Sequence, residues 1–418
     1  MTSSTAATFT ADDLADPMAM ILRPDVHIDP YPWFDYLRSA APIAEGVPGS
    51  DMWFITSHQL ATDVFNNSAQ TSTEVKSTPG HPLPDDLWMQ YYDSELLFTD
   101  GERHSFLRKF ANAAFKPRRV RKLRPQLEAD VNRLIDRVAD SGKIDITQDL
   151  AHPFAIETVM RMIGMPEESV DEVDRWSTAM GAMLDPSKGP DPAYRDPAIQ
   201  AFGECIDYVE FLLKERAANP QDDVLSDFVS TIDQEGGLTH KDIMGIVIRG
   251  MINAGHTTTT SQMGNNMLAL VQFPQQMQKL VEQPELMPQA VEELFRFDPA
   301  IQGTFRRAAE PIEVGGKTVE TDQVMWLFGG AANRDPEAFE NPNEIDIERD
   351  NSRSLTSGGG EHYCLGAVLA RLEADVALSA TLDRLKNLEL LVPMEELERD
   401  PNITVRCATS IPMSFELR

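Results

Sequence analysis

A mainly α-helical fold with small β-sheets, built around one long central helix, is what this sequence predicts, and three observations carry it. Apolar residues recur at helical spacing through most of the 418 residues. A capping box at Thr239 and Asp242 opens a run without a breaker to Phe273, where Pro274 stops it. At about 34 residues that run would span roughly 50 Å, and its apolar residues on several faces predict burial. Strand-like pieces are short and come late, at 312–319, 323–327 and 403–417.

The remaining elements follow in order. Residues 32–39 and 57–66 read as short amphipathic helices, with weak strands at 42–44 and 52–56 between them. Residues 71–93 are rich in Pro, Gly, Ser and Thr and then aromatic at Trp88, Tyr91 and Tyr92, a composition that predicts a mobile loop able to cover a site. Helical patterns at 127–139 and 154–163 break at Gly164-Met165-Pro166, and 185–197 reads as a second Pro/Gly-rich loop. A last helix is predicted over 367–381. There is no internal repeat, low-complexity tail or linker. A single domain over 1–418 is predicted, with a short flexible N-terminus of about fifteen residues.

Composition excludes several function classes. A share of 42% hydrophobic residues is ample for a core, yet no run of about eighteen apolar residues exists. The first residues lack the basic flank and apolar stretch of a secretion signal, so a cytoplasmic protein is expected. Three cysteines (Cys205, Cys364, Cys407) form neither a disulfide framework nor a paired metal motif. A net charge of −30 argues against nucleic acid and anionic membranes as partners. One segment runs the other way. From Glu102 to Arg124 there are nine basic residues and one acidic, a local excess of +8. It is either a solvated helix face or a docking patch for an acidic partner, and docking is the favoured reading.

Four constellations carry chemistry. Gly358 to Gly366 reads GGGEHYCLG: its glycines permit a tight turn, and Cys364 precedes the helix at 367, whose N-terminal partial charge favours thiolate. Without further context a buried structural cysteine in a glycine turn is the favoured reading of Cys364, and the rest of the chain shifts the balance to a metal ligand. Within the long helix, Ala254-Gly255-His256-Thr257-Thr258-Thr259-Thr260 carries a propensity penalty. It is either a bent, threonine-rich contact or a place where something approaches the backbone and needs hydroxyls. Glu293 and Arg296 stand three apart on one helix face, and His104 and Arg108 four apart on another, a spacing suited to one anionic group.

The cysteine segment, with Leu369, Ala370, Arg371 and Glu373 after it, resembles the haem-binding loop of the cytochrome P-450 superfamily, of the soluble bacterial type. The AGHTTT stretch resembles that family's oxygen-activating helix, and EELFRFDP its E-x-x-R segment. The resemblance implies the cytochrome P-450 fold, heme b as cofactor and Cys364 as the ligand of its iron. It implies that Gly358 and Gly366 shape the loop and that Ala254 and Gly255 line the haem face. His104, Arg108, Arg306 and His362 are assigned to the haem propionates. Glu293 and Arg296, joined by Arg349, become a buried structural set. Thr258 becomes the alcohol that assists oxygen activation and proton delivery.

Two positions depart from the family pattern. Thr257 stands where an acid is usual, and a hydroxyl can pass a proton but not hold one. Ser357 stands where Phe is usual, which predicts a more polar setting for the sulfur. By resemblance, the chain is a monomeric haem-thiolate monooxygenase that hydroxylates a compact hydrophobic molecule (terpenoid, aromatic or steroid-like). Electrons would come from an acidic [2Fe-2S] ferredoxin and its NAD(P)H-dependent reductase, docked near Arg108, Lys109, Lys116 and Arg118. Substrate contacts would come from 88–92, 176–210, 247–255, 300–305 and 408–411, with Trp88, Val247, Ile301 and Thr409 as pocket residues. The alternative, motivated by Thr257, is haem-thiolate chemistry of another kind: nitric-oxide reduction, oxidative coupling or peroxide use.

Overall fold

The computed structural model describes residues 9–418 except 48, 75–76, 79–80, 83–86, 88, 186–187, 189–190 and 233. Trp88 and parts of the 71–93 and 185–197 loops therefore lie outside the described residues. Helices dominate, as the periodicity predicts. Tyr31–Ala40, His58–Phe65, His152–Ile163 and Ala367–Arg384 fall where their patterns place them. Gly164 ends the third of these in the left-handed region at φ 96°, its N–H bonded to Met160 O. Near the N-terminus, Ala11–Ala15 form a short helix and Phe9 packs edge-on to Trp33, ring centroids 5.2 Å apart.

The long helix is present, with internal structure that the sequence did not reveal. Thr239 N–H donates to Asp242 Oδ2 at 2.9 Å and Asp242 N–H to Thr239 Oγ1 at 3.2 Å, so the capping box is real. His240–Met244 is α-helical, Gly245–Asn253 has the wider π-type turn, and Ala254–Gln272 is α-helical again. A Cβ on Gly245 would lie 2.1 Å from Ser94 O, so the start of the wide section needs a glycine. Wide turns of this kind concentrate at functional sites.

Other elements were misread. Pro192–Ala218 is a 27-residue helix whose first six residues had been assigned to a loop. Asp191 caps it, accepting from Ala193 N–H at 2.9 Å, and Pro192 occupies the first turn, where its missing N–H costs nothing. Pro117–Val138 begins ten residues before the predicted 127, so it carries much of the basic run. Val170–Gly181 is the helical run that the sequence places before the second Pro/Gly-rich loop.

The sheets are small. The largest runs Ile43–Glu45, Met52–Ile55, Val324–Leu327, Thr304–Ala308, Thr71–Ser72 in spatial order, with Met52–Ile55 parallel to Val324–Leu327 and the other pairs antiparallel. Leu385–Leu390, Pro412–Leu417 and Lys143–Asp145 form a second. The predicted strand at 312–319 is a hairpin, Ile312–Val314 with Lys317–Val319. Its Gly315 and Gly316 take φ of 56° and 76°, as a tight two-residue turn requires. The main core surrounds the long helix, which packs against the 152–163, 170–181, 287–297 and 367–384 helices.

Candidate active site

Cys364 opens into a cavity of about 230 Å³. Gly358 and Gly360 take φ of 70° and 66°, and a Cβ on Gly360 would sit 2.2 Å from Phe65 O. The loop is thus glycine-rich because it turns left-handed while pressed against the end of the 58–65 helix. Cys364 N–H donates to Ser357 O at 2.9 Å, so the recorded contact of Ser357 with the cysteine is through its backbone. Enclosure by protein raises the thiol's pKa. The N–H groups of Gly366 and Ala367 and the charges of Arg108 and Arg371 pull it down but do not overcome that enclosure. The helix N-terminus acts in the expected direction, yet does not by itself yield a thiolate. Coordination to a metal removes the thiol proton outright.

The long helix contributes Ala254, Gly255, Thr258 and Thr259 to the same cavity. Thr258 Oγ1 donates to Ala254 O at 2.6 Å. A Cβ on Gly255 would lie 2.7 Å from Val159 Cγ2, so packing against the 152–163 helix already demands glycine there. Thr257 is not among the cavity residues. A Cβ on Gly181 would come within 2.9 Å of Thr257 Oγ1, which places this hydroxyl against the 170–181 helix.

The four residues assigned to propionates split. His104 and His362 rings lie 4.1 Å apart, and Arg108 and His362 line the cavity. Arg108 donates to Tyr363 O at 2.7 Å, and Arg306 is buried over the Phe65 ring. Burial, with the His362 and Arg108 charges, brings the His104 pKa down to about 4, so His104 is a neutral donor rather than a cation. The sequence reading missed Asp100. Its carboxylate meets His362 Nε2 at 2.9 Å and accepts from Ser72 Oγ at 2.6 Å and from Thr73 N–H at 2.9 Å. Burial opposes ionisation, but these bonds hold the Asp100 carboxyl well below its usual range. His362 therefore has only its other ring nitrogen to offer a further anion.

A polar group on the cavity wall was foreseen only in part: Arg249 and Asn253 lie in the expected 247–255 stretch, Glu95 outside it. Arg249 Nε donates to Glu95 Oε2 at 3.2 Å and its Nη1 to Asn253 Oδ1 at 3.1 Å. Burial raises the Glu95 carboxyl pKa, and the Arg249 charge pulls it back. The partners are 154 residues apart. No local pattern announces them. Glu373 also reaches the cavity, where burial raises its pKa and its Oε1 has no partner.

The expected pocket residues are not brought together. Val247 is fully buried in the core, Ile301 bridges Val405, and Thr409 Oγ1 donates to Glu398 O at 3.2 Å; none lines the cavity. The expected 247–255 stretch does reach the cavity, through Met251 among others, and Leu96, Leu97, Val159 and Met162 supply the rest of its apolar surface.

The structural set is complete. Arg296 Nε and Nη2 grip Glu293 at 2.8 and 2.9 Å, both side chains fully buried. Arg296 also donates to the carbonyls of Asn333, Pro342 and Glu344, at 2.8, 2.9 and 3.1 Å. Arg349 Nε and Asp346 N–H reach Glu293 Oε1 at 3.1 and 2.9 Å. The set ties the 287–297 helix to the segment leading into the cysteine loop.

The basic run divides too. Arg103 pairs with Asp242, Arg119 with Asp227 at 2.6 Å, and Arg124 with Asp375 at 2.5 Å. Lys109, Lys116, Arg118, Arg121 and Lys122 are exposed and in no ion pair among the described residues. The run abuts the cysteine loop: Arg108 bonds Tyr363 O, and Phe115 lies 3.9 Å from where a Gly366 Cβ would stand.

A helical fold with a cysteine loop at one cavity wall and a threonine-bearing central helix at another defines a haem-thiolate protein. A family model for Cytochrome P450 matches residues 46–406, and the chain belongs to that family. It is 30% identical over 399 residues to 6-deoxyerythronolide B hydroxylase of Saccharopolyspora erythraea, covering 93% of this chain and 97% of that one. It is 32% identical to the Biotin biosynthesis cytochrome P450 of Bacillus subtilis, covering 93% and 96%. Among solved structures, P450BioI in complex with an acyl carrier protein carrying hexadec-9Z-enoic acid superposes with a TM-score of 0.86 at 30% identity, covering 94% of this chain and 99% of that one. CalO2 superposes equally, at 0.86 and 30%, with 94% and 98% covered.

The protein is thus an oxidoreductase of the P450 monooxygenase type, and its family binds haem iron. The residues present fit that group. The Cys364 thiol faces the cavity, His104 Nε2 is buried without a partner, and Arg108 lines the cavity as a donor for carboxylates, while Arg306 lies outside its lining, over the Phe65 ring. No helix among the described residues is long and apolar enough to cross a membrane.

Proposed function

We propose that this P450 hydroxylates a compact, mostly hydrophobic molecule in the cytoplasm, as a monomer and a single domain over 1–418, using O2 and two electrons from an acidic [2Fe-2S] ferredoxin served by an NAD(P)H-dependent reductase. The observation that carries the reading is the Cys364 thiol facing a largely apolar cavity that Thr258 also lines. Bound haem supplies activation of O2, one atom going to a C–H bond and the other to water. The chain's residues do the rest. Cys364 would hold the iron; Arg108 and Arg306 would neutralise the propionates, and neutral His104 would donate a hydrogen bond to one of them. Thr258 donates to Ala254 O and so turns lone pairs to the cavity; breaking that bond frees its proton for delivery. Leu96, Val159, Met162 and Met251 hold the substrate and exclude water. Glu95, Arg249 and Asn253 are placed to orient a polar substituent on it.

The exposed cations Lys109, Lys116 and Arg118 beside the cysteine loop support docking of an acidic electron donor on this face. The other reading, chemistry without oxygen insertion, rests on Thr257 replacing the acid. Turnover with a surrogate ferredoxin under 18O2 decides between them. One labelled atom in the product is expected; unlabelled product, or turnover independent of O2, would overturn the hydroxylation reading.

A further inference from the structure

Away from the haem cavity, three helices bring two imidazoles and a carboxylate together. His152 opens the 152–163 helix, Asp174 sits on the 170–181 helix, and His256 lies near the start of the 254–272 section. Their ligand atoms all fall within 4.8 Å of one another. His152 Nε2 meets Asp174 Oδ1 at 2.9 Å, His256 Nε2 stands 3.9 Å from the same oxygen, and the two rings are 4.5 Å apart. Thr178 Oγ1 also donates to Asp174 Oδ1, at 3.4 Å.

An ordinary ion pair accounts for His152 and Asp174, but not for His256. Its side chain is 2% exposed, and its Nε2 is buried with no hydrogen-bond partner while directed at the other two groups. Ser177 Oγ stands 3.0 Å from His256 Nδ1 and 3.5 Å from Ile252 O. In the tautomer with the proton on Nδ1, the serine accepts from it and donates to Ile252 O, and Nε2 carries a lone pair into the gap. A ligating histidine is commonly held this way, its other nitrogen donating to a fixed acceptor. An unsatisfied buried nitrogen is unfavourable, and a bound cation removes the penalty.

We propose that His152, Asp174 and His256 form a binding site for a divalent transition-metal ion, Zn2+ foremost, joining the three helices. Two imidazoles and one carboxylate are the donor set for zinc or cobalt rather than for magnesium or calcium. A tetrahedral ion about 2.0–2.1 Å from each donor brings the donors to roughly 3.3 Å from one another. His256 is fixed, whereas the side chains of His152 and Asp174 are 30% and 37% exposed and can close the distance. The same exposure admits water as fourth ligand. The ion takes the place of the proton between His152 and Asp174. It would fix the 170–181 helix, which carries Gly181 against Thr257, to the central helix.

The test is calorimetric titration of the chelator-treated holoenzyme with ZnCl2, followed by thermal unfolding. One equivalent is expected to bind, with the thermal midpoint rising about 3 °C when zinc is a hundredfold above its dissociation constant. MgCl2 at the same concentration should produce no shift. His152→Ala and Asp174→Ala, both partly exposed and unlikely to disturb the core, should each weaken zinc at least roughly tenfold, and Ser177→Ala should weaken it less. Absence of zinc binding to the wild type, or one-equivalent binding unchanged in both ligand variants, overturns the site.

Discussion

Arg296→Met removes the cation from a site where every polar group is spoken for. Methionine matches the arginine stem but leaves three carbonyls, of Asn333, Pro342 and Glu344, without their donors. It also strips two charge-assisted bonds from Glu293, which keeps only Arg349 and Asp346 N–H. Breaking a buried pair from one side costs about 3–5 kcal/mol. Unfolding entropy scales at about 2.1 cal/mol/K per residue, or roughly 0.9 kcal/mol/K for a chain this long, so the midpoint should fall by about 3–6 °C. Glu293→Gln should cost less. Arg296 then keeps its three carbonyls, and the glutamine oxygen still accepts one bond. Thermal unfolding of both holoenzymes, followed by far-UV dichroism and the haem band together, checks the order. A midpoint within about one degree of wild type for Arg296→Met, or a larger loss in Glu293→Gln, would refute the view that this network braces the approach to the cysteine loop.

Further outcomes follow from the same geometry. Cys364→Ser should lose the red-shifted Soret band of the CO-bound ferrous protein, and its retention would remove Cys364 from the iron. Gly360→Ala meets both a left-handed φ and Phe65 O, so haem incorporation should drop, at a cost of at least about 1–2 kcal/mol in stability measured by denaturant titration. Asp242 is tuned by two neighbours: burial would raise its pKa, but Arg103 and the Thr239 cap lower it on balance. A depressed folded pKa gives stability that is present above the unfolded carboxyl value and lost as pH falls through the folded one. Wild type should therefore lose more stability than Asp242→Asn on moving from pH 7 to pH 3, as read from unfolding midpoints. Lys109→Glu with Arg118→Glu should lower ferredoxin-supported turnover several-fold at low salt while leaving turnover with a small chemical reductant unchanged.

The parts of the site that were legible in sequence are those set by short-range rules. Thr239 and Asp242 announce a helix start because the two bonds that define it lie three residues apart. The glycines around Cys364 are read locally because left-handed φ is a property of single residues. Glu293 and Arg296 share a helix face by spacing alone. What stayed hidden depends on distant partners. The π-type turns at 245–253 begin at Gly245, where a Cβ would meet Ser94 O, a contact from a segment about 150 residues away in sequence. Asp100 and Glu95 matter only because His362 and Arg249 fold onto them. Pro192 and Pro197 read as loop residues, yet Pro192 stands in the helix's opening turn, where it is no breaker once Asp191 caps it, and Pro197 is carried inside the helix. Val247, Ile301 and Thr409 were placed by analogy of position, and the cavity is lined from other faces.

The parallel pairing of Met52–Ile55 with Val324–Leu327 has a bearing on biogenesis. The partner of an early strand is synthesised some 270 residues later, and the loop bearing Cys364 later still. On the ribosome, the N-terminal segment must wait with an unpaired edge while the helical middle emerges, so sheet closure and cofactor capture belong to the final stage of synthesis. Premature termination or slow translation past the central helix would yield a helical body that cannot retain haem.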